Sequence, residues 1–384
     1  MNATAQHEEP SRIDPGIAIA TGSLITLGVV MSYSATAALA LDAVIPPLFF
    51  DHLVGVALGL AAASFAYRLQ AQSLRRLALP FWVVTVLLLG LTLLFGVGVN
   101  GAQRWLEIPG TLFRFQPGEL AKCATLLAIA TLLSRNDDRR EISNRRSIQA
   151  AGIALLPAGL LLMQPDLGNA VVLVALCAFL LLVAGTPWPR FVLPGVVGIL
   201  IVGVYVASNG YARRRVTGFL DPFGESQGAG WQLVQSYVAF GQGGLLGQGL
   251  GNSRQKLEYL PEVHTDFVLA LVAEELGLLG VLFVLGAFAA LWVIGTRVAR
   301  SARDRFDLLC GFAMVSLLTL PALLNASVVM GLVPTKGLTL PFLSYGRTSL
   351  VVSCFALGIL LGVSKRQLPR SNPKSPEAAW PHAG

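Results

Sequence analysis

Ten long apolar runs separated by mostly short polar connections set the pattern of this chain. They cover residues 17–38, 48–66, 80–98, 120–133, 148–163, 170–184, 191–207, 267–298, 308–330 and 343–363. A helix rises about 1.5 Å per residue and a bilayer's hydrocarbon core is about 30 Å thick, so such runs read as membrane spans. The pattern predicts an all-α polytopic membrane protein with about ten transmembrane helices. An even number of spans puts both termini on one side. The run 267–298 is too long for one straight span, at roughly 48 Å of helix. Either its first turns stand outside the membrane or it breaks near Gly277 or Gly280. Composition agrees: 54% of the 384 residues are hydrophobic and only 13% are charged.

Charge placement sets the orientation. Eighteen of the 28 Lys and Arg fall in the tails and in alternate connections, in groups such as Arg135, Arg139, Arg140, Arg145 and Arg146, or Arg297, Arg300, Arg303 and Arg305. Cytoplasmic loops collect these residues, so both termini are expected to be cytoplasmic. The net charge of +7 is therefore mainly a topology signal. No basic run is interleaved with aromatics, which argues against a nucleic-acid partner. Cys123, Cys177, Cys310 and Cys354 sit singly in apolar runs, as small core residues do, and imply neither a disulfide nor a zinc site.

The organisation is one membrane domain over residues 17–363, with a cytoplasmic tail at 1–16 and a Pro-, Ser- and Ala-rich tail at 364–384 expected to be disordered. The exceptional connection runs from about 208 to 265 on the outer side. Long loops are usually functional or disordered. Its segments 216–219 and 231–240 are apolar, and WQLVQSYVAF has helical periodicity, so a structured loop is expected. A second outer connection, 100–119, carries Arg104, Trp105, Arg114 and Glu119 against the positive-inside trend.

Residues 256–277, KLEYLPEVHTDFVLALVAEELG, hold six charged residues plus His264 at a membrane boundary. Ionisable groups there cost free energy and by default mark a site. Asp266 stands where helical periodicity begins. It suits a helix cap, and a capped carboxylate can still act as a base if one oxygen faces substrate. Glu274 and Glu275 lie about 12–14 Å further along the axis, beyond the reach of a two-carboxylate mechanism, and read as buried polar anchors that need partners. Lys122, Arg104, Lys336 and Arg347 lie in outer connections or near helix starts. Singly, each is explained by snorkelling; together they suit an anionic group such as a pyrophosphate. The stretch GQGGLLGQGLG at 241–251 lacks a preceding strand and a Lys-Ser/Thr ending, so it reads as tight turns rather than a phosphate loop.

These blocks, in this order, resemble the SEDS family of bacterial cell-wall polymerases, and most closely its division branch. The motifs are RWL at 104–106, FQPGELAK at 115–122, QPDLG at 164–168, GLGNSRQKLEYLPEVHTDF at 249–267, AEELG at 273–277 and PTKGLTLPFLSYG at 334–346. The family pattern continues SYGGSS where this chain has SYGRTS, so Arg347 and Thr348 replace small residues.

The resemblance implies an inverting peptidoglycan glycosyltransferase of the bacterial cytoplasmic membrane. It would polymerise lipid II at the outer face during septal wall synthesis, alongside a class B penicillin-binding protein and other divisome membrane proteins. It makes Asp266 the general base and Arg104 and Lys122 the phosphate-holding cations, with Glu119, His264, Lys336 and Ser344 around the substrate. A divalent cation, magnesium or manganese, could assist at the pyrophosphate, although no carboxylate cluster demands one. Two other readings stand beside it. A lipid II flippase would need ionisable residues near the bilayer midplane, and a non-catalytic divisome scaffold would tolerate loss of Asp266.

Overall fold

A computed structural model describes residues 14–37, 46–99, 102–107, 114–135, 142–224, 228, 230–256 and 264–367. The start of the N-terminal tail and the segment after Gln367, read from sequence as tails, lie outside the described residues. The last helix, however, continues to Gln367, past the expected end at 363.

The spans appear where the apolar runs predict them. They are α1 (Pro15–Ala37), α2 (Pro47–Arg68), α3 (Ala71–Phe95), α4 (Pro117–Ser134), α5 (Asn144–Met163), α6 (Leu167–Val183) and α7 (Val192–Ser208). Two short helices follow, α8 (Gly210–Leu220) and α9 (Trp231–Gly243), then the spans α10 (Val268–Arg300), α11 (Arg305–Val329) and α12 (Arg347–Gln367). Nine helices among the described residues are long and apolar enough to cross a membrane, one of them counting from Trp188 into α7, and the 17-residue α6 falls just short. The third span begins at Ala71, not Pro80, because the helix runs through Pro80. Proline within a span is tolerated where neighbouring groups satisfy the freed backbone.

The end of the run 80–98 and the connection 100–119 after it hold three short strands that the apolar pattern did not foretell. They are β1 (Val97–Val99), β2 (Ala102–Glu107) and β3 (Arg114–Phe115), an antiparallel sheet in the order β1-β2-β3. Leu106 pairs with Phe115 and Glu107 with Arg114. These strands are too short for alternation to be read against the long apolar runs beside them.

Helices α4 and α11 form the centre and are almost wholly buried, whereas α7 has no buried residue. Large apolar side chains such as Leu87, Leu94, Leu193 and Ile199 point outward. A helix that is apolar on both its packed and its outer face is what a lipid solvent selects. Small residues set the closest approaches: a side chain on Gly59 would meet Cys354 Sγ at 2.9 Å, and one on Gly358 would overlap the Ala63 carbonyl oxygen. Helices α2 and α12 thus lie backbone to backbone. Cys123, Cys177, Cys310 and Cys354 are all buried and free.

One end of the bundle is tied by arginines. Arg366 forms two hydrogen bonds to the Asp307 carboxylate, at 2.8 and 2.9 Å, and reaches Leu69 O; Arg75 pairs with Asp304, and Arg305 donates to Ala184 O. The opposite end carries the sheet, α8, α9 and the start of α10.

Candidate active site

The run 267–298 forms one helix by hydrogen bonding, but it is broken at Gly277, whose φ of 68° and ψ of −164° no helix contains. A residue with positive φ is cheapest as glycine. The glycine stretch after α9 fills the break. Gln248 N and Gly249 N donate to the carbonyls of Glu274 and Glu275 at 2.9 and 3.0 Å, while Leu278 N and Leu279 N donate to Gly244 O and Leu245 O. The backbone groups released by the kink are therefore satisfied by the loop. Any side chain on Gly277 or Gly247 would strike the other strand of this exchange.

Glu274 and Glu275 are fully buried and hold the chain that follows the loop. The Glu274 carboxylate accepts from Arg254 N at 2.8 Å, from Gln255 N and from the Ser253 hydroxyl. Glu275 Oε1 accepts from Ser34 Oγ at 2.6 Å and pairs with Lys256 Nζ at 3.2 Å. They act as the anchors their spacing suggested.

Asp266 lies in a turn over residues 264–267, and the N-cap position falls one residue later, on Phe267. Two contacts fix this turn. Asn325 of α11 donates from Nδ2 to the backbone oxygens of Asp266 at 2.7 Å and of Leu338 at 2.5 Å, tying it to the connection 330–346. Tyr345 N donates to His264 O at 2.8 Å, with the two rings edge to face at 5.7 Å. Asn325 is wholly buried and was not foreseen from sequence; a lone polar residue in an apolar span was its only signal.

These contacts open a cavity of about 680 Å3 at this end of the bundle. That volume suits an organic ligand. Asp266 and His264 line it together with four guanidinium side chains, Arg104, Arg114, Arg215 and Arg347. Among the described residues, carboxylates lie near three of the four. Arg104 lies 3.9 Å from Asp166, Arg114 lies 3.3 Å from Glu107, and Arg347 lies 3.8 Å from Asp51. Arg215 reaches across from α8 to Thr335 O at 3.0 Å. Planar forks held in this way suit multidentate recognition of phosphate. Gln116, Gln232, Thr339 and Ser349 add neutral polar groups to the wall.

The other expected site residues stand one layer back. Lys122 and Glu119 are buried in α4 and pair at 2.7 Å, with Lys122 Nζ also donating to Asn169 Oδ1 at 3.1 Å. Asn169 Nδ2 donates to Asp166 at 2.9 Å, and Asp166 in turn faces Arg104. Glu119, Lys122, Asn169, Asp166 and Arg104 thus form a continuous relay of which Arg104 is the member at the cavity. Asp166 and Asn169 belong to the segment that carries QPDLG, where the sequence alone gave them no role. Lys336 is half-buried next to Gly168, and burial holds its ammonium pKa below the ordinary lysine range. Ser344 is buried and accepts from Leu340 N at 2.7 Å, closing the turn before α12. The neighbouring Gly337 is close enough that a side chain there would meet Asp266 Oδ2 at 2.8 Å. Among the described residues, no three His, Cys, Asp or Glu side chains gather as a resident metal site would.

The family model described as cell cycle protein FtsW/RodA/SpoVE matches residues 16–368. The chain is 39% identical over 346 residues to the probable peptidoglycan glycosyltransferase FtsW of Trichlorobacter lovleyi, covering 89% of this chain and 90% of that one. Among solved structures, it superposes with a TM-score of 0.77 and 31% identity on a chain of a peptidoglycan synthase complex that coordinates polymerization and crosslinking, covering 93% of this chain and 99% of the other. The rod shape determining protein RodA of Thermus thermophilus gives a TM-score of 0.68 at 29% identity, covering 92% of this chain and 97% of that one. With nearly every span inside the matched region, this multi-pass membrane protein belongs to the FtsW/RodA/SpoVE family of cell cycle proteins, the SEDS family.

Proposed function

We propose that the protein is a peptidoglycan glycosyltransferase that polymerises lipid II at the outer face of the bacterial cytoplasmic membrane during septal wall synthesis. The observation that carries this reading is that, among the described residues, one carboxylate, Asp266, lines a cavity walled by four guanidinium groups. The names of its relatives support the reaction class. The arginine-tied end of the bundle supports the orientation, since cytoplasmic ends collect positive charge.

The chemistry follows from the cavity's composition. The acceptor's sugar 4-hydroxyl attacks the anomeric carbon of the donor, and its proton passes to the Asp266 carboxylate. The bond from the anomeric carbon to the diphosphate oxygen breaks, and its electron pair leaves with undecaprenyl pyrophosphate. One displacement inverts the anomeric centre. The leaving group departs as an anion, so it needs positive charge more than a general acid, and Arg104 supplies it. The buried relay behind Arg104 supports its position and orientation. A class B penicillin-binding protein is the expected partner, to crosslink the strands as they form.

The test is direct. The protein is purified with its penicillin-binding partner and given labelled lipid II in detergent, and glycan strands are resolved on a gel. Wild type is expected to make polymer, and Asp266→Asn to lose about 10²–10⁴-fold in rate, the range for removal of a positioned base. No polymer from wild type, under conditions where a related enzyme works, would return the protein to the flippase or scaffold readings. An Asp266→Asn protein as fast as wild type would remove Asp266 from the base role.

A further inference from the structure

We infer that Arg347 provides a second anion-holding position in this cavity, placed for the diphosphate of the accepting substrate, the one that is not cleaved. The inference rests on the polymerase reading above. In such a reaction two carrier-linked molecules meet, each bearing a diphosphate, and only one of these leaves.

The cavity offers cations from separate walls. Arg104 extends from β2, donates to Pro165 O and faces Asp166 at the start of α6. Arg347 stands at the first residue of α12 and faces Asp51 of α2. Its side chain packs against Gly55, where a Cβ would lie 3.4 Å from Arg347 Cγ, in van der Waals contact. The close glycine packing of α2 on α12 makes this wall stiff. The Tyr345 hydroxyl donates to the same Asp51 carboxylate at 3.3 Å. Burial first, and then the nearby Asp51 charge, push the Tyr345 phenol pKa up and keep it a neutral donor.

The two carboxylates differ in what else they serve. Asp166 also accepts from Asn169 N, Asn169 Nδ2 and Gln116 Nε2, which tie it, and Arg104 facing it, into the buried relay. Asp51 lies against Arg347 with one hydroxyl donor beside it. A departing diphosphate gains charge as its bond breaks, and Arg104, held by the buried relay, is placed to meet it. A diphosphate that stays on its carrier keeps the same charge throughout, and Arg347, on a separate wall of the cavity, is left to hold it.

The experiment separates the two roles. Lipid II lacking its 4-hydroxyl can only donate; lipid II with a methylene in place of its anomeric oxygen can only accept. With this pair and the purified complex, Arg347→Gln should raise the KM for the acceptor analogue about tenfold or more, the scale of one charge-assisted hydrogen bond. The KM for the donor analogue and kcat should stay within about twofold, a change too small to count as a lost contact. Arg347→Lys should recover part of the loss. Asp51→Asn should move the acceptor KM the other way, which guards against an Arg347 variant that merely fails to fold. A rise in the donor KM with the acceptor KM unchanged would place Arg347 at the leaving group instead. Both KM values unchanged would deny it any anion. Wild type forming no product from the pair would instead count against the polymerase reading itself.

Discussion

Gly337 has no side chain to show, yet its absence shapes the site. A methyl group there would stand 2.8 Å from Asp266 Oδ2, inside van der Waals contact. Gly337→Ala should push the carboxylate from its position, with a loss of about 10²-fold in polymerisation, as small displacements of a reacting group cause. The position is exposed and its φ is not in the left-handed region, so thermal stability should change little. A thermal midpoint lowered in step with activity would mean a folding effect instead. Legibility at this scale was uneven. Asp266, Arg104 and His264 announced themselves as ionisable groups at a membrane boundary, and the structure gathers all three on one cavity. Lys122 and Glu119 were equally visible as charges, but a sequence cannot tell a wall residue from the one behind it. Asn325 and Asp166 were not singled out, because their importance lies in which distant backbone or side chain they meet.

At the scale of elements, the broken helix α10 and the glycine loop after α9 are two halves of one structure. The length of the apolar run required an overhang or a break near Gly277 or Gly280, and the structure breaks it at Gly277. The glycine loop, in contrast, looked like ordinary tight turns. Its partner lies more than 25 residues away, and no local pattern reports such pairing. Gly277→Ala should be destabilising by about 1–3 kcal/mol from the backbone conformation alone. The clash with Gly247 N and Leu245 O should add to this, read as a lowered thermal midpoint in detergent. If the midpoint is unchanged, Gly277 is not the point that fixes the kink. The small sheet escaped notice for a simpler reason: β3 is two residues long, and periodicity needs more than that.

Across the whole molecule, the ten apolar runs foretold the long helices, nine of which among the described residues are long and apolar enough to cross a membrane, and the charge count predicts which end faces the cytoplasm. Physical chemistry makes this layer the most readable, since most residues of a span face either lipid or another apolar helix. The order in which the spans pack is different, because it depends on glycine and alanine contacts such as Gly358 against Ala63. The orientation is testable with single cysteines in a background lacking the four native ones. Leu220→Cys, on the exposed surface near the cavity end, should react with an impermeant maleimide added to intact spheroplasts. Gln367→Cys, at the arginine-tied end, should react only after lysis. The reverse pattern would invert the molecule and move the cavity to the cytoplasm.

The exchange at Gly277 also bears on how the protein is made. Residues 243–249 precede Gly277 in the chain, so a ribosome delivers the loop before the helix it completes. The bonding partners for the kink are already synthesised when the interrupted span emerges, and its bare amides and carbonyls need not wait in lipid for a later segment. Were the order reversed, the half-formed helix would meet the bilayer with polar groups exposed. Biogenesis and final structure are thus matched by nothing more than the order of two segments.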